Sequence, residues 1–205
     1  MNSIEKRKYK AALDEWILKC VGMRRCAAVT LTFDPDLVSA LNKKFVERSV
    51  QYFFKRVNRD LYGLAGREGH LGLNFLSVIE GGEAAYAKSL HLHAIVVLPP
   101  NCDPNLFVRC LDWNWRKVKG HGLYGKIEVC WDITGWVPYL TKLSSKTKYA
   151  DDILFEHMAI AKDDSLPSAR VARLARKYPE PIAGTQIPVN SAAIVGASNF
   201  GSLLA

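Results

Sequence analysis

The 205-residue sequence predicts an α+β protein of the ferredoxin-like type, a split βαββαβ arrangement with an antiparallel sheet and helices on one face. The first observation is the order of patterns, because short β-branched or apolar runs alternate with longer segments of helical spacing. The second is a short turn, beginning with two glycines, that joins the second and third runs as a hairpin. Apolar residues are 49% of the chain and charged residues 23%, which excludes wholesale disorder.

The first elements are a helix and a strand. Residues 3–20 have the spacing of an amphipathic helix. Its predicted apolar stripe consists of Ile4, Leu13, Trp16 and Ile17. Residues 27–33 are β-branched and apolar and are followed by Asp34-Pro35, which predicts a strand.

Proline, aspartate and glycine clusters separate the remaining elements. We predict a helix over 36–61, strands over 73–80 and 91–98, a helix over 104–118, a strand over 126–132, a helix over 134–146 and a short basic helix over 166–178. Residues 120–125 contain three glycines and are predicted to form a loop before the last strand.

Composition shifts divide the chain into three parts. Residues 1–25 are an N-terminal helix with a basic lead-in, and residues 26–160 are the main domain. Residues 161–205 are the short basic helix and a tail. Because no charged residue follows Glu180, we expect this tail to be flexible.

Charge and cysteine usage narrow the classes of function. The formal net charge is +8 with a pI of about 9.3, which is compatible with a polyanionic partner. The five cysteines include no CxxC pair, which argues against a disulfide framework or a zinc ribbon. No apolar run is long enough to span a bilayer and the N-terminus lacks a signal-peptide core, so we expect a cytoplasmic protein with no membrane partner.

The segment with the clearest chemistry is His91-Leu92-His93. Side chains alternate along a strand, so both imidazoles project from one face. The preceding strand ends in Glu80, and an antiparallel hairpin places this carboxylate opposite the histidines. Two imidazoles and a carboxylate suit Mn²⁺, Mg²⁺ or a similar divalent ion. A pair of surface histidines is the alternative interpretation.

The other face of the same hairpin is apolar, and we expect it to pack against the two helices. Its residues are Phe75, Ile79, Leu92, Ala94, Val96 and Leu98.

Tyr139 is a second candidate, because it lies three residues before Lys142 and shares a helical face with it. Pro138 is expected in the first turn of this helix. A free tyrosine, with a pKa of about 10, is a poor nucleophile. A metal that polarises a phosphodiester oxygen and an ammonium group that offsets developing charge would assist it. A structural role for both side chains is the alternative.

Three motifs in this order resemble those of the HUH endonucleases, which include rolling-circle replication initiators, transposases and relaxases. The first, an apolar-Thr-apolar-Thr strand, is similar to residues 29–33. The second, histidine–hydrophobe–histidine, is similar to 91–93, and the third, Tyr-x-x-Lys, to 139–142. The resemblance covers about residues 25–147 and implies the same antiparallel sheet for the main domain.

The resemblance implies a metal-dependent, site-specific single-stranded DNA endonuclease and strand transferase that forms a 5′-phosphotyrosine link. It implies Tyr139 as the nucleophile and Lys142 as a helper at the phosphate. It also implies His91, His93 and Glu80 as ligands of Mn²⁺ or Mg²⁺. The helix that carries the tyrosine is then expected over the histidine face of the sheet.

Some members of that family have two tyrosines one helical turn apart. Here Leu143 lies four residues after Tyr139, so the resemblance implies the single-tyrosine type, with Tyr149 as the nearest other candidate. No GxxxxGK[ST] loop occurs, so strand separation is expected from a host helicase or other replication machinery. The expected partner is single-stranded or hairpin DNA.

Basic and aromatic residues near the ends of the core elements are candidate DNA contacts. The basic residues are Arg24, Arg25, Lys117, Lys119, Lys126, Lys146 and Lys148. The aromatic residues are Trp113, Trp115, Tyr124, Trp131 and Trp136, most of which are expected in the core.

Two other functions remain compatible with the sequence. One is a metal phosphodiesterase that uses water, with Tyr139 in a structural role. The other is a non-catalytic nucleic-acid-binding module of ferredoxin-like fold. Such a module is expected to have aromatic residues on its sheet face, where this chain carries Glu80, His91 and His93.

Overall fold

The computed structural model describes residues 2–22, 24–34, 43–64, 72–80, 90–130, 133–141 and 164–180. The helices are α1 Ser3–Val21, α2 Lys43–Tyr62, α3 Pro104–Trp115, α4 Ile133–Leu140 and α5 Ser168–Lys177. The strands are β1 Cys26–Phe33, β2 Phe75–Glu80, β3 His91–Val97 and β4 His121–Cys130. Among these helices, none combines the length and the hydrophobicity needed to cross a membrane.

The four strands form one sheet in the order β2-β3-β1-β4. Every neighbouring pair is antiparallel, with β1 between β3 and β4 and with β2 at the edge beside β3. Together with α2 and α3 these strands have the split βαββαβ topology. The predicted ferredoxin-like α+β fold is therefore confirmed.

One face of the sheet is covered by α2, α3 and α5, which form the larger core with it. The apolar face predicted for the β2–β3 hairpin lies in this core. Asp103 caps α3 by accepting a hydrogen bond from the Leu106 backbone nitrogen at 2.8 Å, and Pro104 begins the helix. Burial of each large apolar side chain here stabilises the fold by about 1.5–3 kcal/mol.

The predicted basic helix is present as α5. Leu166, Leu174 and Tyr178 pack into the main core, while Arg173 and Arg176 are exposed. The start of the helix predicted over 36–61, the end of the helix predicted over 134–146, and the tail expected over 181–205 lie outside the described residues.

The opposite face of the sheet is covered by α1 and α4, which pack together in a second core. From the helices this core contains Leu13, Ile17, Val21, Ile133, Val137 and Leu140. The stripe predicted for α1 is wrong at two positions, since Ile4 is 65% exposed and Trp16 is 39% exposed. Ile4 precedes the part of α1 that meets the sheet, and Trp16 lies beside the row of core residues rather than in it.

The last strand begins five residues earlier than predicted, at His121 instead of residue 126. The glycines that favoured a loop instead allow close approach to β1. A Cβ atom at Gly122 would lie 2.7 Å from the Thr32 carbonyl oxygen. The pairing of β1 with β4 changes register between Leu31 and Phe33, and glycine in a strand is typical of such irregularities.

Candidate metal centre and active site

The structure brings together Glu80, His91 and His93, as the sequence predicted. Glu80 ends β2 directly opposite His91, the first residue of β3. His93 lies opposite Thr30 of β1. Because alternate residues of a strand share a face, all three side chains meet on the face that carries α1 and α4. One potential ligand atom from each residue lies within 4.8 Å of the other two.

Both imidazole rings present Nε2 to the same carboxylate oxygen. Oε2 of Glu80 lies 3.2 Å from Nε2 of His93 and 3.6 Å from Nε2 of His91. The side chains of Glu80 and His93 are 11% and 4% exposed, and that of His91 is 19% exposed. His91 is therefore on the solvent side of the cluster, where a ligand can approach.

Thr30 holds the ring of His93 from the other side. Its Oγ1 lies 3.0 Å from Nδ1 of His93. With Nδ1 engaged by the hydroxyl, Nε2 is the nitrogen that faces Glu80. A histidine ligand typically donates its second ring N–H to such a neighbour, which fixes the tautomer and the ring orientation.

The donor set fits a divalent cation. Two imidazole nitrogens and one carboxylate oxygen are ligands that Mn²⁺ accepts readily and Mg²⁺ more weakly. Their convergence on one face, with the second nitrogen of His93 already held by Thr30, is the arrangement expected of a three-ligand site. Three ligands leave coordination positions for oxygen atoms of a substrate.

Tyr139 lies beside this cluster on α4. Its ring centroid is 5.3 Å from that of His93, and the two planes are nearly perpendicular. Trp136 contacts both rings, at 5.4 Å from Tyr139 and 6.1 Å from His93. The tyrosine side chain is 46% exposed. A phenol group is thus placed next to the candidate metal ligands and remains open to solvent.

Helix α4 differs from the prediction at Pro138. This proline lies in the second turn and not the first, because the helix begins at Ile133. A proline there removes one backbone N–H from the helix. Burial of Val137 and Leu140 against the sheet stabilises the helix despite this loss.

A polar cluster joins the end of α4 to α1. The hydroxyl of Thr141 is hydrogen-bonded to the carboxylate of Asp14 and lies 2.9 Å from the carbonyl oxygen of Val137. Lys10 donates to Thr141 at 3.1 Å and to Asp14 at 2.5 Å. Thr141 is fully buried. The cluster fixes α4 two residues after Tyr139.

Sequence reasoning did not assign roles to Thr30 or to this cluster. Thr30 belongs to the recognised strand motif, so its position was available, but its partner depends on the register of β1 and β3. The spacing of Lys10 and Asp14 predicts a helical ion pair and gives no sign of Thr141. No local signal links residues so distant along the chain.

The other predicted site residues are distributed differently. Lys126 lies opposite Thr30 on the cluster's face of the sheet and forms an ion pair with Glu128 at 2.9 Å. Arg24 and Arg25 precede β1, at the end of that strand remote from His93, and Arg24 is paired with Asp164. Lys142, Lys146, Lys148 and Tyr149 lie outside the described residues.

The cysteines do not take part in this site. Burial raises the pKa of Cys26, Cys102 and Cys110 to about 12 each, so these thiols stay protonated near neutral pH. All five cysteines are free of disulfides. A thiolate nucleophile at these three positions is therefore disfavoured.

Comparison with known proteins gives one match. Residues 26–148 match the family model of the replication-associated proteins of the ORF2 type. The matched segment is more than half of the chain and contains β1 through α4, with the whole His/His/Glu cluster and Tyr139. No curated protein and no solved structure matches the chain.

Proposed function

The chain belongs to the ORF2-type family of replication-associated proteins, and we propose that it is a metal-dependent single-stranded DNA endonuclease and strand transferase of the HUH type. Its role would be to initiate rolling-circle replication or the transfer of a mobile element. The observation that carries the proposal is the contact of Tyr139 with His93, a member of the His/His/Glu cluster.

Glu80, His91 and His93 would hold the divalent ion, with Thr30 fixing the ring of His93. Bound there, Mn²⁺ or Mg²⁺ would supply a Lewis acid for a non-bridging oxygen of the scissile phosphate. The carboxylate of Glu80 balances part of the positive charge and keeps both imidazoles aimed at one point. Burial of Glu80 and His93 limits competition from water at two of the three ligands.

Tyr139 would be the nucleophile. Its phenol oxygen attacks the phosphorus atom, and the bond from phosphorus to the 3′ oxygen breaks. The proton lost by the phenol is balanced by the proton that the leaving 3′ oxygen takes up. The 5′ phosphate stays on the tyrosine as a diester, so attack by a later 3′-hydroxyl can rejoin a strand. Lys142, three residues on, is proposed to neutralise charge at the phosphate.

The substrate would be single-stranded or hairpin DNA. The half-exposed ring of Tyr139 is accessible to an unpaired strand, and Lys126 offers a cation on the same face of the sheet. Host replication machinery would supply strand separation. Arg24, Arg25, Lys146 and Lys148 remain predicted phosphate contacts.

A covalent-capture experiment tests the proposal. The protein is mixed with Mn²⁺ and single-stranded oligonucleotides that include hairpins, and protein–DNA adducts are resolved under denaturing conditions. We expect an adduct that is lost in Tyr139→Phe and in His91→Ala. Tyr9→Phe, at an exposed tyrosine on α1, is the matched control and keeps the adduct.

Two outcomes would contradict the proposal. Cleavage that survives in Tyr139→Phe without any adduct indicates a phosphodiesterase that uses water. Binding of these oligonucleotides without cleavage, at saturating Mn²⁺ bound to the His/His/Glu cluster, indicates a non-catalytic module.

A further inference from the structure

A shallow groove lies on the other side of the sheet, between the first half of α2 and the turn that follows α3. Its volume is about 460 Å³. Its lining includes Phe45, Arg48 and Tyr52 from α2 and Lys117, Val118 and Lys119 from the turn. Three of the lining residues are cations and none is acidic. Arg48, Lys117 and Lys119 are all exposed, so their charges are available to a ligand.

Two exposed aromatic rings accompany these cations. Tyr52 is 48% exposed and Trp113 is 47% exposed, although both belong to helices that cover the main core. The guanidinium carbon of Arg56 lies 5.6 Å from the ring centroid of Tyr52. Nζ of Lys117 lies 5.0 Å from the ring centroid of Trp113. Each ring is therefore backed by a cation and keeps part of its surface open.

Arg56 also fixes the spacing of the two rings. Its guanidinium donates to the hydroxyl of Tyr52 at 3.2 Å and to Oδ1 of Asn114 at 3.1 Å. Asn114 is fully buried and adjoins Trp113 in α3. The ring from α2 and the ring from α3 are thus parts of one connected surface, and little ordering is needed when a ligand binds.

The groove lies at the same end of the sheet as the His/His/Glu cluster. His91 is opposite Thr32 near the end of β1, and Phe33 is opposite His121 at the start of β4. The Asp34 backbone nitrogen donates to the Gly120 carbonyl oxygen at 3.0 Å, next to Lys119. A strand that leaves the cluster can therefore pass round this end of the sheet and enter the groove.

We propose that this groove binds the single-stranded DNA that flanks the cleavage site, an inference that rests on the proposed function. Arg48, Lys117 and Lys119 contact successive phosphates, and unpaired bases stack on Tyr52 and Trp113. A positive groove with exposed aromatic rings is typical of surfaces that bind single strands, because every base has a face for stacking. Paired bases of a duplex are already stacked on one another and cannot use the rings.

Equilibrium binding of a fluorescent oligothymidylate tests the inference. The measurement is made in EDTA, so neither metal binding nor cleavage contributes. We expect Arg48→Glu/Lys117→Glu to bind about ten-fold more weakly or worse and to have a shallower dependence on salt. We expect a loss of about ten-fold or more for Tyr52→Ala/Trp113→Ala.

The matched controls are on α1, on the opposite face of the sheet. Lys8→Glu/Lys19→Glu changes charge by the same amount, and Tyr9→Ala/Trp16→Ala removes one exposed tyrosine and one exposed tryptophan. Both should bind within about two-fold of the wild type. Thermal unfolding is recorded for every variant, and Arg48→Gln/Lys117→Gln replaces any charge reversal that does not fold.

Unchanged affinity in both groove variants would overturn the inference. Equal competition by duplex and single-stranded DNA for the groove would also overturn it, since stacking would then have no part. The outcome is separate from the proposed function. If the Tyr139 adduct forms while groove variants bind normally, the groove assignment alone is wrong. If no adduct forms while groove variants lose affinity, the nuclease assignment alone is wrong.

Discussion

The hydroxyl oxygen of Thr30 lies 3.0 Å from Nδ1 of His93, across the pair of central strands β1 and β3. This contact gives a specific role to the strand motif that resembles the first HUH motif. The hydroxyl occupies one ring nitrogen, and the other then faces Glu80 at 3.2 Å. The register of two central strands thereby determines which nitrogen of His93 is presented to a metal.

Replacing Thr30 tests this role. Thr30→Val keeps the shape of the side chain and removes the hydroxyl, and we expect Mn²⁺ to bind about 10–100-fold more weakly. Thr30→Ser restores the oxygen and should bind Mn²⁺ close to wild-type affinity. Calorimetric titration with Mn²⁺ measures both. Equal affinities for the wild type and the valine variant would show that the hydroxyl does not orient the histidine.

The Thr141 hydroxyl should stabilise the fold and the position of α4. Thr141→Val leaves the carboxylate of Asp14 and the ammonium of Lys10 without this buried neighbour. We expect the free energy of unfolding to fall by about 1–3 kcal/mol and the adduct to form more slowly. Thr141→Ser should recover both quantities. Urea denaturation and the rate of adduct formation are the measurements, and a fully stable valine variant would be evidence against the cluster.

Two glycines of β4 provide a matched steric test. A Cβ at Gly122 would lie 2.7 Å from the Thr32 carbonyl oxygen, which is backbone and cannot move alone. A Cβ at Gly125 would lie 3.2 Å from Cδ2 of Leu31, the end of a flexible side chain. We expect Gly122→Ala to lower the unfolding free energy by about 1–3 kcal/mol. Gly125→Ala should change it far less, and similar values for both variants would contradict the bulged pairing.

Asp60 should make stability depend on acid pH. Burial alone would raise the pKa of Asp60, but hydrogen bonds from Lys177, Tyr178 and Asn114, with the charge of Lys177, together lower it below the ordinary value of 3.8. A lowered pKa in the folded state means that the ionised form contributes stability above the unfolded pKa. That contribution is lost as pH falls below about 4 and through the lowered value.

The measurement is urea unfolding of wild type and Asp60→Asn as a function of pH. The destabilisation caused by the substitution should be full near neutral pH and shrink below about pH 4. The control is Glu15→Gln, whose parent carboxylate is paired with Lys19 at the exposed surface of α1 and is screened by solvent. A difference between wild type and Asp60→Asn that stays constant with pH would exclude this linkage.

The parts of the site that follow local periodicity could be predicted. Alternation along β3 put His91 and His93 on one face, and the short turn put Glu80 opposite them. The beginning of β4 could not be predicted, because Gly122 and Gly125 favour a loop until their contact with β1 is known. The position of α1 over the cluster's face also depends on tertiary packing. Ile4 and Trp16 fit the helical stripe by spacing, yet the sheet contacts only Leu13, Ile17 and Val21 from that helix.

The most direct test of the account is to identify the residue that carries DNA after cleavage. The adduct formed with Mn²⁺ is digested with a protease and a nuclease, and the nucleotide-bearing peptide is sequenced by mass spectrometry. The account predicts a phosphodiester on the phenol oxygen of Tyr139. DNA attached to Tyr149 or to any other residue would contradict the assignment of the nucleophile, even if cleavage is efficient.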